Sequence, residues 1–190
     1  MESFYNRGSI NLNNKEKLIQ DNYSKVNQIS AKCMRVIVAI LALAFVYCYF
    51  GTDMDESVLI VFFASAVFIA LIPTLIINIL KFDHAPVTKH IVIICVCLIA
   101  TMMLTLLSTY AYPIMLFPIL MASLYYNQTL VLFASLLMSC GIVGSNYFAY
   151  RFSDIFIGFP CESFEDAMMS YVVPQIVVVF GLSVAAYFIV

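Results

Sequence analysis

Chemistry in a chain needs nucleophiles beside bases, paired carboxylates, or His, Cys, Asp and Glu at ligand spacing. Here the candidates are few. Asp83, His84 and His90 share one polar stretch, but a six-residue step between the histidines, across Pro86, is no recognised ligand pattern, and they read as solvated loop residues. Six cysteines, Cys33, Cys48, Cys95, Cys97, Cys140 and Cys161, contain no CxxC pair. Five of them read as small packing residues. Cys161 has only Cys48 as a partner on its own side, so a disulfide is open but not expected. No catalytic residue, metal site or cofactor is expected, and the residues do not read as an enzyme. Recognition falls to neutral polar groups and prolines: Tyr110, Tyr112, Asn146 and Arg151, with Pro113 and Pro118 in one apolar stretch and Pro174 and Gln175 in another. A proline removes one helix donor and frees a carbonyl, so these positions read as kinks or as the lining of a ligand cavity.

The elements that would carry them follow from composition. Of 190 residues 64% are apolar, against roughly 45 to 50% in soluble domains, and 11% are charged, against roughly 25%. A compact water-soluble fold needs more polar surface than this. A net charge of −2 with no basic face argues against nucleic acid as a partner. The expectation is an all-α polytopic protein whose first partner is the lipid bilayer.

A spanning helix needs about 20 mostly apolar residues, because about 30 Å of hydrocarbon is crossed at 1.5 Å per residue. Six stretches qualify, at about 34–50, 57–80, 91–109, 111–126, 129–150 and 167–190. The first reaches full length by extending back towards Ile29 with Arg35 snorkelling. The third and fourth follow each other so closely that they should form a tight hairpin. Apart from Arg35 at the start of the first, no Asp, Glu, Lys, Arg or His falls inside these six stretches, which argues against proton relays and voltage sensing. Two capping boxes, Asp53 with Glu56 and Ser163 with Asp166, mark helix starts, and Lys81 and Arg151 fit helix ends.

Eight of the nine cations lie before or at the start of the first stretch or between the second and third: Arg7, Lys15, Lys17, Lys25, Lys32, Arg35, Lys81 and Lys89. The positive-inside rule then places both segments, and with six crossings both chain ends, in the cytoplasm of a cell membrane. Residues 1–33 are too long and polar for the start of a cleaved signal peptide. Within them Asn13 and Glu16 could cap a helix bearing Ile19, Tyr23 and Val26 on one face, lying on the membrane or continuing into the first span. Asn78 is expected to bond a neighbouring helix or backbone. Small residues four apart, Ala66 with Ala70, Ser135 with Ser139, Gly141 with Ser145 and Gly181 with Ala185, point to close helix packing.

The segment from Ile72 to Lys81, then Tyr112-Pro113-Ile114, Ala122-Ser123-Leu124-Tyr125-Tyr126 and Val173-Pro174-Gln175, resembles the N-terminal membrane module of clostridial and related Firmicutes signalling proteins. Such modules precede output domains with a GGDEF motif, phosphatase domains or chemoreceptor-type domains. The resemblance implies a sensory or anchoring role in bacterial signal transduction, with a homodimer and a cytoplasmic output domain or partner protein compatible with it. No output motif is present up to Val190, so the chain reads as a fragment or as a relative whose output lies in a partner. The alternative is a small six-span transport protein, for example the substrate-binding subunit of an importer, which would hold solute through neutral polar and aromatic groups.

Overall fold

In the computed structural model the chain is all-α. The structure describes residues 2–51, 55–83, 85–107, 113–152 and 163–190, with side chains described from Asp21 onward and at Leu18. The described residues form six helices: α1 (Glu2–Gly51), α2 (Glu56–Ile79), α3 (Thr88–Leu107), α4 (Pro113–Ser123), α5 (Gln128–Arg151) and α6 (Phe164–Ile189). Five are long and apolar enough to cross a membrane, α1 through its Asp21–Gly51 portion. Their outward faces carry Leu43, Phe68, Leu136 and Phe180, all exposed. Hydrocarbon solvates such faces and water does not.

Local signals account for most boundaries. Asp55 caps α2, accepting from the Ser57 and Val58 amides at 2.8 and 3.3 Å. Asp53, the residue expected there, lies outside the described residues. The Ser163–Asp166 box forms as expected, with the Asp166 amide 3.1 Å from Ser163 Oγ. α1 shows no break at Asn13, running as one 50-residue helix of about 75 Å. It therefore continues straight into the first span; the side chains of Asn13, Glu16 and Ile19 lie outside the described residues.

Contacts give each helix its direction. α2 runs back along α1, with Tyr49 against Glu56, Phe45 against Phe63, and Thr74 donating to the Ala31 carbonyl. α3 then lies parallel to α1: Lys89 reaches Tyr23, and Val96 and Met103 border the same groove as Ile37 and Ala44. α5 is parallel to α3, since His90 meets Phe133, Cys97 meets Ala134 and Gly141 abuts Thr101. Parallel neighbours require the chain to return between them. α4 makes that return, from Pro113 beside Met103 to the turn at Tyr125, which bonds Asn27. α6 is antiparallel to α5, pairing Asn146 with Gln175, Ser135 with Ser183, and Gln128 with the Tyr187 carbonyl. The end that holds Asn27, Asp83, Tyr125 and Tyr187 is called proximal below, and the other distal.

Three expectations are corrected. Among its described residues the stretch 111–126 is helical over Pro113–Ser123, eleven residues or about 16 Å, half the thickness of a hydrocarbon core. Its prolines start the helix instead of interrupting it: residues 113–116 form a 3-10 turn and Pro118 sits in the first turn of the α-helical part, where donors have no partner in any case. Lys89 is no loop residue, being the second residue of α3 and only 8% exposed. Finally, Gly181 and Ala185 face outward on α6, whereas Ala66, Ala70, Ser135 and Ser145 are buried. The hairpin expected between the third and fourth stretches falls at 108–112, outside the described residues.

Candidate functional site

At the proximal end, two turns of α1 present Tyr23, Ser24, Asn27 and Ser30 to the bundle. Asn27 is fully buried, donating Nδ2 to the Asp83 carbonyl at 2.6 Å and accepting from the Tyr125 hydroxyl at 2.7 Å. Ser30 Oγ stands 3.3 Å from the same hydroxyl, and Ser24 donates to Asp83 Oδ2 at 2.8 Å. Thr88 Oγ1 donates to the Phe82 carbonyl at 2.6 Å, closing the α2–α3 loop. The Lys89 ammonium donates to the Tyr23 hydroxyl at 3.3 Å and lies 4.3 Å from the ring centroid. A cation over an aromatic face is stabilised without a counter-charge, which is how a lysine is retained there. The arrangement locks helices together; His90, expected in a loop, packs edge-on against Phe133 as part of α3.

The distal half is built differently. Among the described residues α4 covers about half the depth of its neighbours, and clefts open around its first turn. Pro113, Met115 and Leu116 of α4 face Ser170, Tyr171, Pro174, Gln175 and Val178 of α6 across a cleft of about 400 Å3. On the other side of Pro113 a second, apolar cleft of about 390 Å3 lies against Ile37, Leu41, Met103 and Leu107.

α6 is wide-wound where it meets the first cleft. Residues Met168–Val172 form a π-helical turn, the Val173 amide reaching back to the Met168 carbonyl. The pyrrolidine ring of Pro174 would collide with the carbonyl of Ser170 in a regular helix, and widening the turn before it relieves that collision. The wide turn aims Gln175 inward. Gln175 is buried, and its Oε1 accepts from Asn146 Nδ2 at 3.3 Å, while Asn146 also donates to the Ile142 carbonyl of its own helix at 2.8 Å. Among the described residues the Gln175 Nε2 group has no acceptor, although it sits beside the cleft. A buried amide donor left open is costly unless something fills the place.

Of the positions singled out in the sequence, Pro113, Pro174 and Gln175 thus converge on one cleft, and Asn146 backs it. Pro118 is buried below, in the body of α4, and Arg151 is exposed at the end of α5, apart from the cleft lining. Tyr110 and Tyr112 lie outside the described residues. Sequence reading missed Ser170, Tyr171 and Met115 as lining residues; the proline at 174 was the available signal, since a widened turn just before it exposes Ser170 and Tyr171. It also missed Pro73, buried inside α2 ahead of a second π-helical turn, Leu75–Ile79. Asn78, expected to bond a neighbour, is exposed beside a polar cleft.

Compared with protein family models, curated proteins and solved structures, the chain finds no match in any of them.

Proposed function

We propose that this chain is a membrane-embedded sensory module that takes a small, mostly apolar molecule bearing one hydrogen-bond acceptor into the cleft between α4 and α6. The observation that carries the reading is the Gln175 Nε2 donor, left open among the described residues at the wall of a mostly apolar cleft. Recognition sites commonly combine such walls with a few placed polar groups. A ligand bonded to Gln175 acts on the turn that Pro174 and the π-helical segment widen, and α6 leads from there to the proximal end. There α1 continues beyond the bundle, giving a helical path for output. The signalling role accords with the resemblance to clostridial membrane modules.

The orientation belongs to the same proposal. Lys25, Lys32, Arg35, Lys81 and Lys89 gather at the proximal end, so that end is assigned to the cytoplasm, with six traverses and both chain ends inside. A reporter fused after Val190 should be active only in the cytoplasm.

The native chain has no tryptophan, so Val178→Trp supplies a background-free probe in the cleft wall. In lipid nanodiscs, a set of brominated alkanes and ketones should quench that indole saturably, with ketones favoured. Gln175→Leu should weaken ketone quenching about tenfold, the worth of one buried hydrogen bond. The lipid-facing control Phe188→Trp should show only linear partitioning. Linear quenching at both positions would overturn the reading, and uptake of the bound ketone into proteoliposomes would favour transport instead.

A further inference from the structure

A polar cleft of about 300 Å3 opens where α1 leaves the apolar run and α2 ends, and it is lined by Gln28, Lys32, Arg35, Asn78, Lys81 and Asp83. Gln28, Lys32 and Arg35 lie three and four residues apart, so one face of α1 presents all three. Asn78 and Lys81 arrive from the other side because α2 finishes in a wide π-helical turn, after which Lys81 takes a left-handed φ of 55°. That conformation is unfavourable for a side chain with a Cβ, and it turns the ammonium towards Lys32 and Arg35 in place of continuing the helix. Three cations and two amides meet one carboxylate. The count of three cations to one carboxylate leaves the cleft an excess of positive charge, and Asp83 also accepts from Ser24 at 2.8 Å and Gln28 at 3.5 Å.

We propose that this cleft binds a phosphate group. Several donors converging from two sides suit an oxyanion with acceptors in several directions, and the guanidinium of Arg35 matches phosphate in particular. The position favours a phospholipid headgroup as its source. Val36, Leu75 and Ile79 are exposed along the same two helices within about a turn of the cationic residues, where acyl chains would lie. A bound headgroup would bridge α1 to the end of α2 next to the Asn27–Asp83 lock, independently of what occupies the α4–α6 cleft.

The full chain, purified in a mild detergent, is mixed with equal amounts of phosphatidylglycerol and phosphatidylcholine and weighed intact by native mass spectrometry. The expected preference for phosphatidylglycerol is on the order of tenfold to a hundredfold for three cations near the headgroup plane. Lys32→Gln, Arg35→Gln and Lys81→Gln combined should bring it close to unity, while Lys25→Gln, an exposed cation outside the cleft, should leave it unchanged. Equal binding of the two lipids by the native chain, or an undiminished preference in the triple variant, overturns the proposal. If the triple variant does not fold, the native chain in rising salt serves: the preference should fall away by about 0.5 M, and persistence overturns it. Inorganic phosphate at about 10 mM separates the sources, since displacement of phosphatidylglycerol assigns the site to soluble phosphate as well and retention assigns it to the headgroup.

Discussion

Asn27, Ser30 and Tyr125 tie α1 to the α4–α5 turn at the proximal end, and Ser24 and Asn27 tie it to Asp83, all across more than fifty residues of sequence. At the distal end α4 and α6 face each other over a cleft, and the polar link nearest to it is the 3.3 Å bond from Asn146 to Gln175. The contrast separates two ways of holding helices in lipid. Where no hydrophobic force acts between helices, satisfied polar groups fix geometry and small residues permit contact. The proximal end has both. Among the described residues the distal half has a short helix, a widened turn and an amide with an open donor, which is where a conformational response requires the least rearrangement.

The largest expected effect tests that contrast directly. Asn27→Ala leaves the Asp83 carbonyl without its side-chain donor and the Tyr125 hydroxyl with only the longer contact to Ser30, which should cost about 2 kcal/mol. Asn146→Ala should cost about 0.6 kcal/mol, the average for polar links between membrane helices. Reversible unfolding of both variants in mixed micelles measures the difference. Equal losses, or a larger loss at Asn146, would mean that the distal half is held as firmly as the proximal one.

A smaller effect locates the boundary between the two regimes along α5. A Cβ at Gly141 would run into Thr101 Oγ1, which is held by its bond to the Cys97 carbonyl at 2.8 Å, whereas at Gly144 it would meet nothing within 4 Å. Gly141→Ala should therefore destabilise by about 1 kcal/mol, the packing clash exceeding the gain in helix propensity. Gly144→Ala, with no clash to offset, should stabilise by up to about 0.5 kcal/mol. The same unfolding assay reads both, and a neutral Gly141→Ala would place the loose region closer to the proximal end than the contacts indicate.

The contrast was only half legible in the sequence. Spans are written locally, in apolar runs long enough to cross a bilayer, so α2, α5 and α6 fall within a few residues of expectation. The length of α4 was not, because the apolar run from Ala111 to Tyr126 continues past both ends of the described helix, and hydropathy does not register where the helix starts at Pro113 or ends in the left-handed Tyr126 turn. The lock at Asn27 was invisible for another reason: its partners Asp83 and Tyr125 are 56 and 98 residues away, and a polar residue in an exposed-looking N-terminal segment carries no mark of burial. Lys89 misled similarly, since an aromatic partner such as Tyr23 leaves no counter-charge to find. Prolines did better: Pro113 and Pro174 were singled out for backbone reasons, and both line the distal cleft.

The smallest effect concerns the distal start of α2. Asp55 is fully exposed, yet the amides of Ser57 and Val58, accepted by its carboxylate, hold its pKa below the usual value of 3.8. A folded pKa below the unfolded one means that the ionised cap stabilises the helix fully above the unfolded value, and that the contribution is lost as pH falls through the folded value. Asp55→Asn keeps an acceptor but no charge, and should unfold at a slightly lower temperature than the native chain at pH 7. The gap should shrink as pH falls below 3.8 and vanish once the native carboxylate is protonated. A gap that persists in acid would show the loss to be steric. Disappearance of the gap without any change in Val178→Trp quenching would place the cap outside the motion of the cleft, making α4 and α6, not α2, the moving parts of the distal half.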